Sequence, residues 1–293
     1  MRKDLREFDP IPVLASQHRG SLADREGPMR RFLCTLVTGL MVILGFGQTS
    51  AEAQPESCPQ HFVGGTSPAV LKPQLAQGTQ ALCYEQFAVL HSGVVRTPLW
   101  SAEHLTRDQV EAASQLKRRN AFHHEARLPP QDRAELADYA RSGYDRGHMS
   151  PSGDMSTTKA QRQSFSLANM IPQHPCNNEV LWGGIESAVR DLASAEGEIY
   201  VVTGPIYEGT DIPFLNGRVG VPSLVYKAVY DPVRRAAAAY VAPNADGMAW
   251  QAISIDQLAQ ITGIDPFPVV SPEIKAMAMP LPTPQPHFGC RLH

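Results

Sequence analysis

Short runs of alternating or continuous apolar residues dominate the middle of this chain, and such runs are typical of β-strands. A first hairpin is predicted with strands at residues 81–90 and 93–105 and its turn at 91–93. A β-branched run that ends in Gly-Pro predicts a buried strand at 199–205. A second hairpin is predicted with strands at 221–230 and 236–243. Its four-alanine run favours helix by propensity, but the short length and the flanking prolines favour a strand.

Three segments have helical patterns. Residues 105–120 have helical composition, and residues 254–263 predict a short helix. The helix predicted at 177–195 begins at an asparagine and ends before a glycine. It contains Gly183 and Gly184, which cost roughly 1–2 kcal/mol in a helix. We therefore expect another backbone to approach there, and the strands that carry the motif described below are one candidate.

The N-terminal segment has the three parts of a secretory signal peptide. Residues 1–28 are polar, a basic pair follows Met29, and residues 32–47 are apolar but short of the roughly 20 residues of a membrane span. Ala51-Glu52-Ala53 then predicts cleavage before Gln54. We expect a leader at 1–53 with the signal peptide at about 29–53, and Met29 is a better start than Met1. An uncleaved anchor is the alternative.

Export to a periplasm or to the medium follows from that leader, with no stable membrane insertion after processing. The mature chain is expected to have an irregular N-terminal arm at 54–80, rich in Pro, Gly and Gln, and one domain at 81–293.

Four cysteines remain once the leader and its Cys34 are removed. An even number in an exported chain favours two disulfides over a metal site. Of the three possible pairings we favour Cys58 with Cys83 and Cys176 with Cys290, because the first closes a local loop and the second ties the tail to the core. The sequence leaves the other pairings open.

The charge balance disfavours a protein that holds nucleic acid by broad phosphate neutralisation, which should be basic. Residues 1–53 hold 7 of the 26 Lys and Arg and 6 of the 29 Asp and Glu, so the remainder carries a formal net charge of −4. An enzyme needs only a local basic groove.

The stretch at residues 143–151 places Asp145, Arg146 and His148 within four residues. A histidine can take a proton near neutral pH, and an arginine can neutralise a developing oxyanion. Together they suit attack of water on a phosphodiester. Gly143 and Gly147 permit a sharp turn or a close approach on either side.

A second constellation begins with Asn169 and continues with Asn178, Trp182, Glu186 and Arg190. The last four are spaced by four residues. On a helix they lie along one slowly drifting face, which puts an amide, a carboxylate and a guanidinium on one side.

The order and spacing of these elements resemble a known family. The elements are Asp-Arg-Gly-His at 145–148, Ser164-Phe165 with Asn169 and Pro172-Gln173, and then Asn178, Trp182 and Glu186. They are similar to the signature of the DNA/RNA non-specific endonucleases of the ββα-metal (His-Me finger) superfamily. The resemblance spans about residues 80–270. It implies an α+β fold, with a mixed or antiparallel β-sheet core and a ββα-metal finger at the active site.

The resemblance also implies roles. His148 is the expected general base, Asn178 the ligand of Mg²⁺ or another divalent cation such as Mn²⁺, and Glu186 the holder of metal-bound water. Phosphate contacts are expected from Arg146, Arg96 and Arg190. Asp145 is expected to accept a structural hydrogen bond, and Asn169 to hold the loop bearing His148.

The implied activity is hydrolysis of DNA and/or RNA with little sequence preference. One alternative is a non-catalytic nucleic-acid or polyanion-binding module on the same scaffold, although binding alone needs none of His148, Asn178 and Glu186. The other is an antibacterial nuclease toxin with the same chemistry.

Overall fold

The computed structural model describes residues 58–209, 211–287 and 289–290, and the predicted leader and its cleavage site lie outside them. Within these ranges thirteen strands form. They are β1 (Ala69–Val70), β2 (Thr79–Cys83), β3 (Ala88–Ser92), β4 (Thr97–Thr106), β5 (Asp145–His148), β6 (Met170–Gln173), β7 (Glu198–Ile206), β8 (Phe214–Leu215), β9 (Val219–Gly220), β10 (Leu224–Asp231), β11 (Ala236–Pro243), β12 (Gln251–Ile253) and β13 (Ile264–Asp265).

Five α-helices occur in the same part of the chain. They are α1 (Arg107–Ser114), α2 (Thr158–Ser164), α3 (Gly183–Glu196), α4 (Ile255–Thr262) and α5 (Pro272–Lys275). None of the helices in the described ranges is long and apolar enough to cross a membrane. Helices α1 and α4 begin with capping boxes, formed by Thr106 with Gln109 and by Ser254 with Gln257.

A seven-stranded antiparallel sheet, in the order β12-β11-β10-β7-β4-β3-β2, organises the molecule. Its central strands are covered on both faces, so adjacent residues enter different cores. Val201 and Val225 pack on the face that holds α3, whereas Val202 and Tyr226 pack on the face that holds α4. The alanine run in β11 is also a strand, because small side chains fit between two covering layers. The predicted α+β class with an antiparallel core is confirmed.

The first predicted hairpin is wrong in detail. Residues 81–90 form parts of two strands, β2 and β3, rather than one. Tyr84 donates its backbone N–H to the carbonyl of Phe87, and the two rings stack with their centroids 4.3 Å apart. These contacts close a turn inside the apolar run. The next turn lies at residues 93–96 instead of 91–93.

The arm before β2 contains short 3₁₀ turns and strand β1, which pairs with β13. Phe62 packs edge-on against Trp100 in the core. Both favoured disulfides, Cys58–Cys83 and Cys176–Cys290, are present. The first ties the arm to the sheet, and the second ties the C-terminal tail to the start of the long helix.

Strands β5 and β6 pair antiparallel, with Asp145 opposite Gln173 and His148 opposite Met170, and the long helix follows them. This is the predicted ββα unit. The helix is not uniform, because Asn177–Trp182 is a π-helical segment that leads into α3. Helix α3 buries Ile185, Val189 and Leu192 on the sheet and ends at Gly197 with φ 97°.

The close approach expected at Gly183 and Gly184 is present, but the approaching backbone is not that of the His148 strands. A Cβ atom on Gly184 would lie 2.5 Å from the carbonyl oxygen of Gln285. The C-terminal tail, rather than the β5–β6 pair, therefore requires glycine here.

Candidate active site

A cleft of about 690 Å³ opens between the β5–β6 pair, the long helix and the C-terminal tail. Most of the residues singled out from the sequence line it, together with one arginine that sequence reasoning missed. The ionisable and amide side chains that matter most are those of Arg118, Arg146, His148, Asn178, Glu186 and Arg190.

His148 ends β5 and is 7% exposed. Its ring packs edge-on against Phe165, with centroids 4.9 Å apart, and lies 5.7 Å from the ring of Phe122. Burial lowers the pKa of His148 to about 3, and the charge of Arg118 acts in the same direction. Its Nε2 atom has no hydrogen-bond partner in the described part of the chain. The imidazole is therefore neutral at physiological pH and able to accept a proton.

Asn169 fixes the backbone just after His148. Its side chain accepts from the N–H of Ser150 and donates to the carbonyls of Ser150 and Ser164, at 3.0, 2.8 and 2.9 Å. Its own carbonyl accepts from Met149. Asn169 thus makes the kind of contact expected of it.

Both glycines of the motif have a structural reason. Gly143 has φ 77°, which favours glycine. A Cβ atom on Gly147 would lie 1.9 Å from Oε1 of Gln173, which crosses the strand there. Gln173 in turn donates to Asn177 at 2.6 Å. This side chain therefore connects the two strands to the first residue of the π-helical segment.

Asn178 joins the hairpin to the helix. Its Nδ2 atom donates to Oδ2 of Asp145 at 2.8 Å, so Asp145 is a hydrogen-bond acceptor as expected. With the amide held this way, Oδ1 of Asn178 is the atom left for a cation, and no donor to it occurs among the described residues. An amide oxygen is the kind of ligand that hard divalent cations take.

Glu186 lies two helical turns further along the same side of the cleft. Burial raises the pKa of Glu186 to about 7, and the positive charges of Lys227 and Arg190 oppose the rise. Lys227 is 1% exposed and donates to Thr203 at 2.7 Å, so it is a satisfied lysine beneath the cleft. Burial also raises the pKa of Glu103 well above its ordinary value. This region gathers carboxylates that a bound cation would stabilise in the charged form.

The arginines differ in how they are held. Arg146 lies over the ring of Phe122, 4.3 Å from its centroid, and Arg118 lies 5.3 Å from the centroid of Phe165. Arg190 pairs with Asp154 and donates to Ser187, at 2.8 and 3.0 Å. Arg118 was missed because residues 105–120 have helical composition throughout, whereas the helix ends at Ser114. The basic run at residues 117–119 was the available signal.

Arg96 corrects the phosphate-binding expectation. It lies in the turn between β3 and β4 with φ 54°, and its guanidinium donates to the carbonyls of Gln131 and Arg218. Arg96 does not line the cleft that contains His148. The family resemblance implied a phosphate contact from Arg96, but the turn directs this side chain to two loops outside the cleft.

No group of three or more His, Cys, Asp or Glu side chains in the described ranges is placed to hold a metal ion. A cation in this cleft has to be held by few protein ligands, with water completing its coordination. Mg²⁺ keeps several waters and is bound in this way more readily than Zn²⁺, which favours closed sets of N and S ligands.

Comparisons with known proteins show what this chain is similar to. A family model described as DNA/RNA non-specific endonuclease matches residues 66–273. The chain is similar to the mitochondrial nuclease EXOG of Homo sapiens, with 29% identity covering 88% of this chain and 76% of the relative. It is also similar to a nuclease of a Nostoc species, with 30% identity covering 83% and 93% of the two chains.

Among solved structures, the crystal structure of an EndoG/EndoGI complex is similar. The TM-score is 0.55 and the identity 25%, and the match covers 63% of this chain and 84% of that chain.

Proposed function

This chain belongs to the family of DNA/RNA non-specific endonucleases, and we propose that it is an exported, Mg²⁺-dependent member that uses His148 as its general base. As a member it is a metal-dependent endonuclease with a nucleic-acid substrate. The observation that carries the proposal is that one cleft holds the imidazole of His148 beside Asn178, Glu186 and three arginines, and that Nε2 of this imidazole has no hydrogen-bond partner among the described residues.

His148 supplies the proton acceptor for an attacking water. A buried imidazole in aromatic surroundings is neutral, so it can take the proton without first losing one. Asn169 keeps the loop after His148 in place, which limits the positions the ring can adopt.

The arginines neutralise the phosphate. Forked guanidinium donors match phosphate oxygens, and Arg146 and Arg118 are stacked on rings rather than paired with carboxylates in the described contacts. Arg190 adds positive charge from the helix, although Asp154 already uses part of its fork. Contacts of this kind address the sugar-phosphate backbone and carry no base information, which supports cleavage of DNA and RNA with little sequence preference.

The residues present fit a hydrated divalent ion. Asn178 would hold it through Oδ1, with Asp145 fixing the amide, and Glu186 would bind water on the ion. When bound, the ion stabilises negative charge on the phosphate and on the leaving oxygen. Mn²⁺ has similar ligand preferences and is the expected substitute.

Export is supported by the two disulfides, which persist in oxidising compartments. The leader composition supports a mature chain that begins near Gln54, with its endonuclease domain over 81–293 and the arm packed on it. Localisation in a periplasm or in the medium is equally consistent with this proposal.

A digestion assay tests the function. Purified protein is incubated with plasmid DNA and with RNA, with Mg²⁺ or with EDTA, beside the His148→Ala variant. We expect random cleavage of both substrates that stops with EDTA and falls strongly in the variant. Binding of either substrate without any cleavage would instead favour the non-catalytic module.

A further inference from the structure

The C-terminal tail, here residues 279–287 and 289–290, runs back over the start of the long helix and lies beyond the region that the family model matches. Met279 donates to the carbonyl of Ala237, and the hydroxyl of Tyr240 donates to the carbonyl of Pro282. The tail then reaches the helix, where the Cys176–Cys290 disulfide secures it two residues before Asn178. It is attached at both ends of its path.

One face of the long helix, at residues 180–184, packs against the tail. The carbonyl of Val180 accepts from the N–H of His287 at 3.2 Å. A Cβ atom on Gly183 would lie 2.8 Å from Nδ1 of His287, and one on Gly184 would meet the backbone of Gln285. The tail backbone therefore requires glycine at position 184, and a larger residue at position 183 would displace the ring of His287.

The adjacent stripe of the same helix faces the cleft with Asn178 and Glu186, so the seated tail becomes a wall of that cleft. His287 and Gly289 are among its lining residues. His287 is exposed, and its side chain is thus accessible to a ligand in the cleft.

The hydrogen bonds around Ser187 define what His287 offers. The hydroxyl of Ser187 donates to the carbonyl of Gly183 at 3.0 Å and accepts from Arg190 at 3.0 Å. Its remaining contact, 3.2 Å to Nε2 of His287, therefore needs the imidazole as donor. Among the described residues, the N–H that His287 holds in the cleft is bonded to a neutral hydroxyl. A phosphate oxygen is a stronger acceptor than that hydroxyl.

We propose that His287 is a further substrate-binding residue, whose Nε2–H binds a backbone phosphate of the nucleic acid, and that the Cys176–Cys290 disulfide holds it at the cleft. This proposal rests on the proposed function, because it takes nucleic acid as the ligand. It assigns a substrate contact to a segment outside the family match and links it to Arg190 through Ser187.

Binding is measured separately from cleavage. All variants are made in the His148→Ala background, and a fluorescent oligonucleotide is titrated in EDTA by anisotropy. We expect His287→Ala to raise Kd about threefold to tenfold, for DNA and RNA alike, because a hydrogen bond to a charged group is lost. His287→Gln retains an N–H donor and should recover part of the affinity. Gln285→Ala, an exposed position two residues earlier that does not line the cleft, is the matched control and should bind normally.

In the otherwise unchanged enzyme, His287→Ala should raise KM by the same factor and change kcat less than about twofold. A role in catalysis or in folding would lower kcat or the melting temperature instead. An unchanged Kd and KM in His287→Ala would overturn the proposal.

The disulfide is tested by a cycle. Replacing both Cys176 and Cys290 by serine should raise Kd to the level of His287→Ala, and adding His287→Ala should then change Kd little further. Gly184→Ala, which keeps both cysteines but displaces the tail backbone, should give the same rise. Full additivity of the cysteine and His287 substitutions would overturn the holding role of the disulfide.

Failure here is distinguishable from failure of the proposed function. If the enzyme cleaves DNA in a His148-dependent way but His287→Ala binds normally, only the tail assignment is wrong. If the unchanged protein neither binds nor cleaves nucleic acid, the proposed function itself is wrong.

Discussion

Two walls of the cleft differ in how they treat an ionisable group. The hairpin wall, formed by β5 and β6, surrounds His148 with the rings of Phe122 and Phe165. The helix wall, formed by Asn177–Trp182 and α3, places Glu186 close to Lys227 and Arg190. The hairpin wall therefore surrounds His148 with aromatic rings, and the helix wall places Glu186 near charged side chains.

Burial acts on both groups with opposite shifts in pKa and the same chemical result. It lowers the pKa of His148 to about 3 and raises the pKa of Glu186 to about 7. In both groups, burial favours the neutral form over the charged form. A neutral imidazole is the form needed of a base. A carboxyl group beside a bound cation is needed in its charged form. The hairpin wall thus holds His148 in the form that the reaction needs without a bound ion, whereas the helix wall is suited to a cation.

The largest effect should come from the hairpin wall. His148→Ala removes the proton acceptor, so kcat on DNA should fall roughly 10²–10⁴-fold. Affinity for an oligonucleotide in EDTA should stay near normal, since the ring is 7% exposed and offers the ligand little surface.

His104→Ala is the matched control for that change. His104 is an imidazole on β4 that pairs with Glu198 and does not line the cleft, so its loss should leave kcat unchanged. Near-normal turnover of His148→Ala would place the base elsewhere and remove the distinction between the walls.

The helix wall should give the next largest effect, visible in metal dependence. Asn178→Ala should reduce activity about 10²-fold at ordinary Mg²⁺ and raise the Mg²⁺ concentration needed for half-maximal rate, because a direct ligand is lost. Glu186→Ala should cost about tenfold, because it acts through water. Mg²⁺ titration of both variants measures the order.

The reverse order would exchange the assigned roles of the two residues. Circular dichroism provides the control for folding, since Asn178 also bridges to Asp145 across the walls.

A smaller contrast separates two arginines. Arg146→Ala should raise KM and lower kcat, about tenfold in kcat/KM, because its guanidinium lies in the cleft. Arg96→Ala should leave KM unchanged and lower the free energy of unfolding by about 1–2 kcal/mol, because its bonds to two carbonyls hold loops together. Steady-state kinetics and thermal melts of both variants decide between catalytic and structural roles.

The sequence predicted which side chains line the cleft better than it predicted the segments that form the walls of the cleft. Motif order indicated His148, Asn178 and Glu186, and periodicity indicated the central strands, because buried strands and helices repeat their apolar positions. The turn at Tyr84–Phe87 was missed, since a stacked aromatic pair inside an apolar run looks like continuous strand.

Local sequence patterns could not predict the contacts between segments that are far apart in the chain. The family resemblance implied a phosphate contact from Arg96, but the local sequence could not reveal that residue 96 lies in a turn with φ 54° that directs its side chain to two carbonyls outside the cleft. Gly183 and Gly184 correctly predicted the close approach of another backbone segment. The fold is needed to show that this segment is the C-terminal tail. Which segments meet is determined by the whole fold rather than by the local sequence.

The smallest expected effect is a near absence of change, and it concerns the pH dependence of the hairpin wall. The neutral imidazole is the active form, so activity is lost only as pH falls through the pKa of His148 in the folded enzyme. With that pKa lowered to about 3, kcat at saturating Mg²⁺ should change less than about twofold between pH 7.5 and 5.5. An imidazole at its ordinary pKa of 6.5 would lose about tenfold over the same range.

Two substitutions sharpen this prediction, because burial contributes more to the shift than the charge of Arg118 does. Phe122→Ala admits water beside the ring and should move the acid limb to higher pH, whereas Arg118→Gln should move it less. The lowered pKa of His148 also makes the stability of the folded protein depend on pH. Since the pKa is lower in the folded than in the unfolded state, the folded form binds fewer protons, and stability should fall as pH drops from about 6.5 toward 3. His148→Ala should reduce that fall. An acid limb near pH 6.5 in the unchanged enzyme, with no response to Phe122→Ala, would show that the aromatic surroundings do not determine the pKa of the general base.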